Sequence, residues 1–151
     1  MTPRVIWPSF AAVALAAVVG SGTAAARPPV TAARGRALFT GQEPLAGRVR
    51  DHRSDLPPAV VVCRGCHGGR VVPLGAPAPP APPIDRALLL TARSRRGGPP
   101  SAYDSPAFCK LLRTGVDPAY VLVAREMPVF DVDDAQCESL WRFLTAQGRT
   151  R

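Results

Sequence analysis

Apolar residues recur at helical spacing near the end of the chain. The four that stand at positions i, i+3, i+4 and i+7 are Cys137, Leu140, Trp141 and Leu144. This spacing places them on one face of an α-helix. Asp133 and Gln136 have the spacing of a capping box at the start of this segment, and Gly148 favours its termination. The pattern therefore predicts an amphipathic helix within residues 133–148.

Two shorter segments have a similar pattern, and each ends in a glycine that favours helix termination. Residues 31–41 carry apolar side chains at Ala33, Ala37, Leu38 and Phe39. Residues 104–115 place Ser105 as the N-cap and Pro106 at the first helical position. The apolar face of this second segment consists of Phe108, Leu111 and Leu112. Both segments are predicted to be helices.

Strand signals are few, since only the valine-rich runs at 60–62 and 121–123 favour β structure. Residues 42–58 combine turn formers with charge, and we expect an irregular segment there. Residues 73–84 are rich in proline, which lacks the backbone N–H donor, so we expect an extended path over the surface. The predicted fold class is a mostly α, small domain of three to five helices with long loops rich in proline and glycine.

The first 26 residues have the order of a secretory signal peptide. Arg4 is followed by an apolar run at 10–19 and by small residues that end in Ala24, Ala25 and Ala26. An uncleaved membrane anchor is the alternative, although the run is short for a bilayer span. In both cases residues 27–151 are expected to form one domain in the periplasm. No later run approaches the roughly 18 apolar residues of a spanning helix, so we expect no integral membrane segment in the mature chain.

The chain is basic, with a formal net charge of +8 that comes almost entirely from arginine. These arginines are scattered among prolines and glycines, without the clustering and aromatic interleaving that are typical of nucleic-acid binding. We therefore expect no nucleic-acid partner. The positive charge is compatible with an acidic protein partner or with no specific binding role.

The stretch CRGCHGGR places Cys63, Cys66 and His67 within five residues of a chain that has four cysteines and two histidines. A zinc site needs four ligands, and the other two cysteines, Cys109 and Cys137, stand too far apart to form a second close pair. A thioredoxin-like dithiol needs alternating strands and helices and leaves the histidine unexplained. Covalent haem attachment uses all three residues, since two thiols become thioethers and the histidine binds iron. The motif therefore predicts one covalent haem c, which is attached outside the cytoplasm.

The haem iron requires a second axial ligand or an open face. Met127 is the one methionine outside the signal segment, and it precedes Pro128 in the stretch REMPVF. Its position before a proline, on a loop ahead of the terminal helix, favours axial ligation over a gap-filling role in the core. His52 lies in a charged segment that we expect to be a solvent-exposed loop, which makes it the weaker candidate.

With these motifs in place, the chain resembles the class I cytochromes c of bacterial periplasms. Residues that match the family's pattern outside the haem motif are Gly35, Phe39, Met127, Pro128, Leu140 and Phe143. The resemblance implies that the first and last helices cross at Gly35, where a glycine permits close backbone approach. It also implies that a proline carbonyl holds the second nitrogen of His67. Pro79, Pro80, Pro82 and Pro83 are the candidates, and the sequence does not distinguish them.

Other features are less specific. The segment from Thr40 to Val62 is long for the family and is a candidate cap or docking surface. In an oxidising compartment Cys109 and Cys137 favour a disulfide, with two buried thiols as the alternative. Residues 93–104 offer Arg93, Arg95, Arg96 and Tyr103 as a clasp for the haem propionates, or else form a solvated loop.

Six-coordinate iron held by histidine and methionine suits a carrier of single electrons. We therefore expect a periplasmic electron-transfer protein, not an enzyme, that connects a donor dehydrogenase or quinol-oxidising complex with an acceptor. One alternative is a haem subunit dedicated to a single dehydrogenase. The other is a haem enzyme with an open distal site for peroxide, nitric oxide or sulfur chemistry.

Overall fold

The structure, a computed structural model, describes residues 28–68 and 81–146. Its helices are α1 (Ala32–Thr40), α2 (Cys63–His67), α3 (Arg86–Leu90), α4 (Ser105–Thr114) and α5 (Asp134–Ala146). Two short strands, β1 (Ala46–Arg48) and β2 (Val129–Asp131), form an antiparallel pair, and Pro58–Val60 forms a single 3-10 turn. The prediction of a small, mostly helical domain is confirmed. The proposed signal peptide, Gly148 and most of residues 73–84 lie outside the described residues.

The helix ends follow the chemistry of their capping residues. Thr31 Oγ1 accepts from the N–H of Arg34 at 3.1 Å at the start of α1. The capping box predicted for α5 is confirmed, with Asp133 and Gln136 exchanging hydrogen bonds of 2.6 and 3.1 Å. The predicted cap of α4 is wrong by one residue, because Asp104 accepts from the backbone of the first turn at 2.7 Å. A carboxylate at this position also stabilises the helix, because its negative charge lies at the positive end of the helix dipole.

Ser105 does not cap α4 but is its first residue, and Pro106 is the second. Its hydroxyl donates to Glu138 Oε2 at 2.6 Å and so connects α4 to α5. This hydrogen bond holds the pKa of Glu138 below its usual value, and it outweighs the opposing effect of burial. The first turn of α4 is therefore attached to α5 by a polar contact.

Helices α1 and α5 form the most extensive packing in the domain and cross at Gly35. A Cβ atom at Gly35 would lie 2.7 Å from Phe143 Cβ and would collide with the backbone carbonyl of Ser139. Ser139 is fully buried, and its hydroxyl donates to Ala135 O at 2.7 Å within its own helix. The rings of Phe39 and Phe143 meet beside the crossing, with centroids 5.6 Å apart. The two backbones therefore touch because both residues at the crossing are small.

The strand predictions at 60–62 and 121–123 are wrong. The first run begins at the last residue of the 3-10 turn and leads into α2, and the second lies in a loop that contains only an isolated bridge between Val116 and Leu122. The actual strands are three residues long, too short to show an alternating pattern. Strand β1 lies inside the predicted irregular segment, so residues 42–58 are partly ordered by pairing with a segment more than 80 positions later.

The core lies between α1, α4 and α5, and its most deeply buried side chains are Leu38, Cys137, Ser139, Leu140 and Leu144. A disulfide joins Cys109 of α4 to Cys137 of α5, with their Cα atoms 5.7 Å apart. The bond closes a loop that contains Met127. Among the described residues, no helix has the length and apolar character required to cross a bilayer.

We expect the double variant Cys109→Ala/Cys137→Ala to lose about 3 to 4 kcal/mol of unfolding free energy, because the disulfide spans 28 positions and its removal frees that loop in the unfolded chain. Guanidinium unfolding measures this loss. Reducing the disulfide in the wild-type protein should give a similar loss. Unchanged stability in both experiments would contradict this role.

Candidate functional site

The CxxCH motif forms one short helix, α2, whose two cysteines and histidine occupy positions i, i+3 and i+4. This spacing puts all three side chains on one side of a helical turn. Val61, only 4% exposed, anchors the preceding turn in the core. Both thiols are free: that of Cys63 is half-buried against the apolar core, and that of Cys66 is exposed.

The position of Cys63 disfavours ionisation of its thiol. Burial raises the pKa of the Cys63 thiol to about 11, and the neighbouring sulfur of Cys66 contributes in the same direction. A reactive dithiol has the opposite property, since its attacking cysteine has a depressed pKa. Cys63 therefore stays protonated at neutral pH. Its half-buried position suits a neutral sulfur such as a thioether better than a thiolate.

The ring of His67 is oriented by a single backbone contact. Its Nδ1 lies 2.7 Å from the carbonyl oxygen of Pro82. A carbonyl can only accept, so in the neutral imidazole Nδ1 carries the proton and Nε2 presents its lone pair. Of the four candidate prolines, the structure selects Pro82. Pro79 and Pro80 lie outside the described residues.

Pro82 lies three residues before Asp85, the N-cap of α3, a helix that we did not predict from the sequence. Asp85 caps α3 by accepting from the N–H of Leu88 at 2.6 Å, and Leu89 is buried in the core. Arg86 donates to the carbonyl oxygen of Thr145 at 2.9 Å and so ties α3 to α5. The position of the histidine ring therefore depends on the terminal helix through α3.

Met127 lies in residues 124–128, here called the methionine loop, which form a turn closed by a 3.1 Å hydrogen bond from the Met127 N–H to Ala124 O. The methionine is half-buried and packs against the core. Cys63 and Ile84 pack against the same core from segments that flank His67 in the chain. Met127 and the segments that flank His67 thus pack against the same apolar core.

The arginine-rich segment is a largely exposed loop that internal hydrogen bonds connect to its neighbours. Arg93 and Ser101 exchange two backbone hydrogen bonds of 3.1 and 3.0 Å. Arg95 donates to Leu88 O at 2.6 Å and to Ser101 O, and its guanidinium stacks 4.9 Å from the ring centre of Tyr103. Arg95 is therefore engaged within the protein, whereas the side chains of Arg93 and Arg96 are exposed.

Tyr103 is buried, and burial raises the pKa of its phenol, with the negative charge of Asp117 as a second cause. Asp117 is itself buried, and its Oδ1 accepts from the N–H groups of Ala119 and Val121 at 2.9 and 2.8 Å. These bonds fix the turn that precedes the methionine loop. Its Oδ2 has no hydrogen-bond partner among the described residues.

Two residues of the early segment contact the chain around Met127, and sequence reasoning did not identify this role. Arg50 donates to Val123 O at 3.2 Å. Arg125 donates to His52 Nε2 at 3.0 Å, and His52 is exposed, as expected. Both contacts join residues 73 positions apart, so no local pattern could have indicated them.

Comparisons with protein-family models, curated proteins and solved structures find no match to this chain. Within residues 28–68 and 81–146, no three side chains of His, Cys, Asp or Glu are grouped to hold a metal ion by themselves. The function is therefore inferred from the chain's own residues.

Proposed function

We propose that this protein is a periplasmic monohaem cytochrome c that carries single electrons between a donor, a dehydrogenase or quinol-oxidising complex, and an acceptor. The observation that carries the proposal is the hydrogen bond between His67 Nδ1 and Pro82 O, on a helix that also holds two free thiols. It leaves Nε2 available for iron beside two sulfurs at the spacing of covalent haem attachment.

The residues present fit one covalent haem. Cys63 and Cys66 would form the two thioethers, and His67 Nε2 and Met127 Sδ would be the axial ligands. The haem would supply a centre that gains and loses one electron, and thioether ligation raises its reduction potential. The chain's own part is to orient the histidine ring and to place the methionine at the apolar core.

The competing chemistries fit the site less well. A zinc site would need further ligands near the motif, and the described part of the chain offers no such group. A redox dithiol would need an activated thiol, whereas the pKa of Cys63 is raised to about 11. The presented histidine has no role in a dithiol, but it is required for haem.

The helix packing supports the same proposal. The resemblance to class I cytochromes c implies that the first and last helices cross at Gly35 with aromatic residues beside the crossing. In this chain Gly35 lies against Ser139, and Phe39 packs on Phe143. The basic net charge of +8 favours an acidic redox partner, whose approach it would accelerate at low salt.

Met127→Ala tests the axial assignment. We expect the reduced wild-type protein to bind carbon monoxide poorly at neutral pH and the variant to bind it at least about tenfold more tightly, because the competing sulfur is gone. Absorption spectra in both oxidation states measure this difference. Met127→His is the matched control, since it restores a sixth ligand and should again resist carbon monoxide. Ready binding by the wild type would instead favour a haem enzyme with an open distal site.

A further inference from the structure

The methionine loop is short, and the chain on both sides of it is fixed. On its amino-terminal side, the N–H of Val123 donates to Gly115 O at 2.9 Å at the end of α4. On its carboxyl-terminal side, Val129 begins β2 and pairs with Arg48 of β1. The position of Met127 therefore depends on how well these two ends are held.

The segment 46–52 contacts both ends of this loop. Strand β1 pairs with β2 after the loop, and Arg50 donates to Val123 O before it, at 3.2 Å. The half-buried guanidinium of Arg50 fits against Gly115, where a Cβ atom would lie 2.6 Å from its Nη1. Gly115, with φ of 72°, thus both ends α4 and makes room for Arg50.

A third contact reaches the loop itself. Arg125, two residues before Met127, donates from Nη2 to His52 Nε2 at 3.0 Å. For Nε2 to accept, the proton of the neutral imidazole must reside on Nδ1. Segment 46–52 therefore holds the methionine loop at three places. These are the β1–β2 pair after the loop, the carbonyl of Val123 before it and the side chain of Arg125 within it.

We propose that Arg50 and His52 are positioning residues that hold the sulfur of Met127 in place for the iron. The inference rests on the proposed function, and it assigns a role to the early segment that was a candidate cap or docking surface. A charged donor on a partly buried carbonyl forms a comparatively strong hydrogen bond. Losing it should increase the fraction of time in which the loop is open and the sulfur is away from the iron.

The test uses cyanide binding to the ferric haem of the purified holoprotein, because cyanide must displace the sulfur. We expect Arg50→Met and His52→Leu each to tighten cyanide binding about threefold to tenfold at fixed pH and ionic strength, as the loss of one net hydrogen bond implies. The long-wavelength absorption band of ferric iron bonded to thioether sulfur should weaken in parallel. His52→Gln, which retains an acceptor for Arg125, should behave like the wild type.

Two control variants separate positioning from general destabilisation. Arg36→Met removes an arginine from the exposed face of α1 and should leave cyanide affinity unchanged. Glu43→Gln weakens the 2.8 Å ion pair with Arg34, so it should lower the thermal midpoint without changing cyanide affinity. His52 is exposed, so its variants should fold even if Arg50→Met does not.

The outcomes distinguish this inference from the proposed function. Wild-type protein that has haem and the sulfur band, but whose Arg50 and His52 variants bind cyanide with unchanged affinity, would overturn the positioning role alone. Tighter cyanide binding in Glu43→Gln, equal to that in the two test variants, would also overturn it. Wild-type protein without haem would overturn the proposed function, and this inference with it.

Discussion

Replacing Cys63 and Cys66 together with alanine is expected to abolish covalent haem attachment completely. Each thioether would need one cysteine sulfur, and a haem held only by its bonds from protein ligands to iron would be lost on denaturation. After export in a host that attaches haem to c-type cytochromes, the denatured variant should have no visible haem absorption, whereas the wild type should retain it. Each single variant should retain one thioether.

The chain contains a matched control for this experiment. Cys109→Ala/Cys137→Ala also removes two cysteines, but these form the disulfide between α4 and α5 and lie outside the motif. We expect this control to be less stable and still to carry covalent haem. Haem that stays bound to the denatured Cys63→Ala/Cys66→Ala variant would show that attachment uses other residues.

Gly35→Val is expected to destabilise the domain by at least about 3 kcal/mol, the upper part of the range for overpacked cores. The new side chain would have to occupy the space of the Ser139 carbonyl and of Phe143 Cβ, which would lie 2.7 Å from the new Cβ. Neither backbone can move without separating α1 from α5. Chemical unfolding of the holoprotein measures the loss, and a marginally stable domain would fail to accumulate.

Ala33→Val provides the control because it introduces the same side chain at an exposed position of the same helix. This variant should lose only about 0.5 kcal/mol of unfolding free energy, because valine has a lower helix propensity than alanine. Similar losses in the two variants would mean that the helix crossing at Gly35 is not tightly packed.

Local sequence patterns predicted the three longest helices, α1, α4 and α5. The stripe that contains Leu140 and Leu144 predicted α5, and the capping box at Asp133 formed as expected. The α4 cap was displaced by one residue because Asp104 and Ser105 are both good caps and stand side by side. Periodicity and capping act over a few residues, so they can be read from a single sequence.

The remaining elements depend on long-range contacts. Strand β1 is three residues long and is defined by its partner β2, and α3 has only five residues, too few for a periodic pattern. The same limit applies to the site. The motif identified Cys63, Cys66 and His67, but the choice of Pro82 as the carbonyl required α3 to be in place.

The contacts of Arg50 and His52 illustrate the limit most clearly. Both side chains lie in a segment whose composition indicated an exposed, irregular region, and His52 is indeed exposed. Their partners Val123 and Arg125 are 73 positions away. Such pairs are set by how the strands and helices pack, and a local pattern contains no information about them.

The most direct test of covalent haem attachment is the intact mass of the purified, exported protein under denaturing and reducing conditions. We predict a mass that exceeds the mature polypeptide by one haem, from a coloured protein whose extra mass is lost when Cys63 and Cys66 are both replaced. A colourless wild-type protein with the mass of its polypeptide alone would contradict haem attachment at this site.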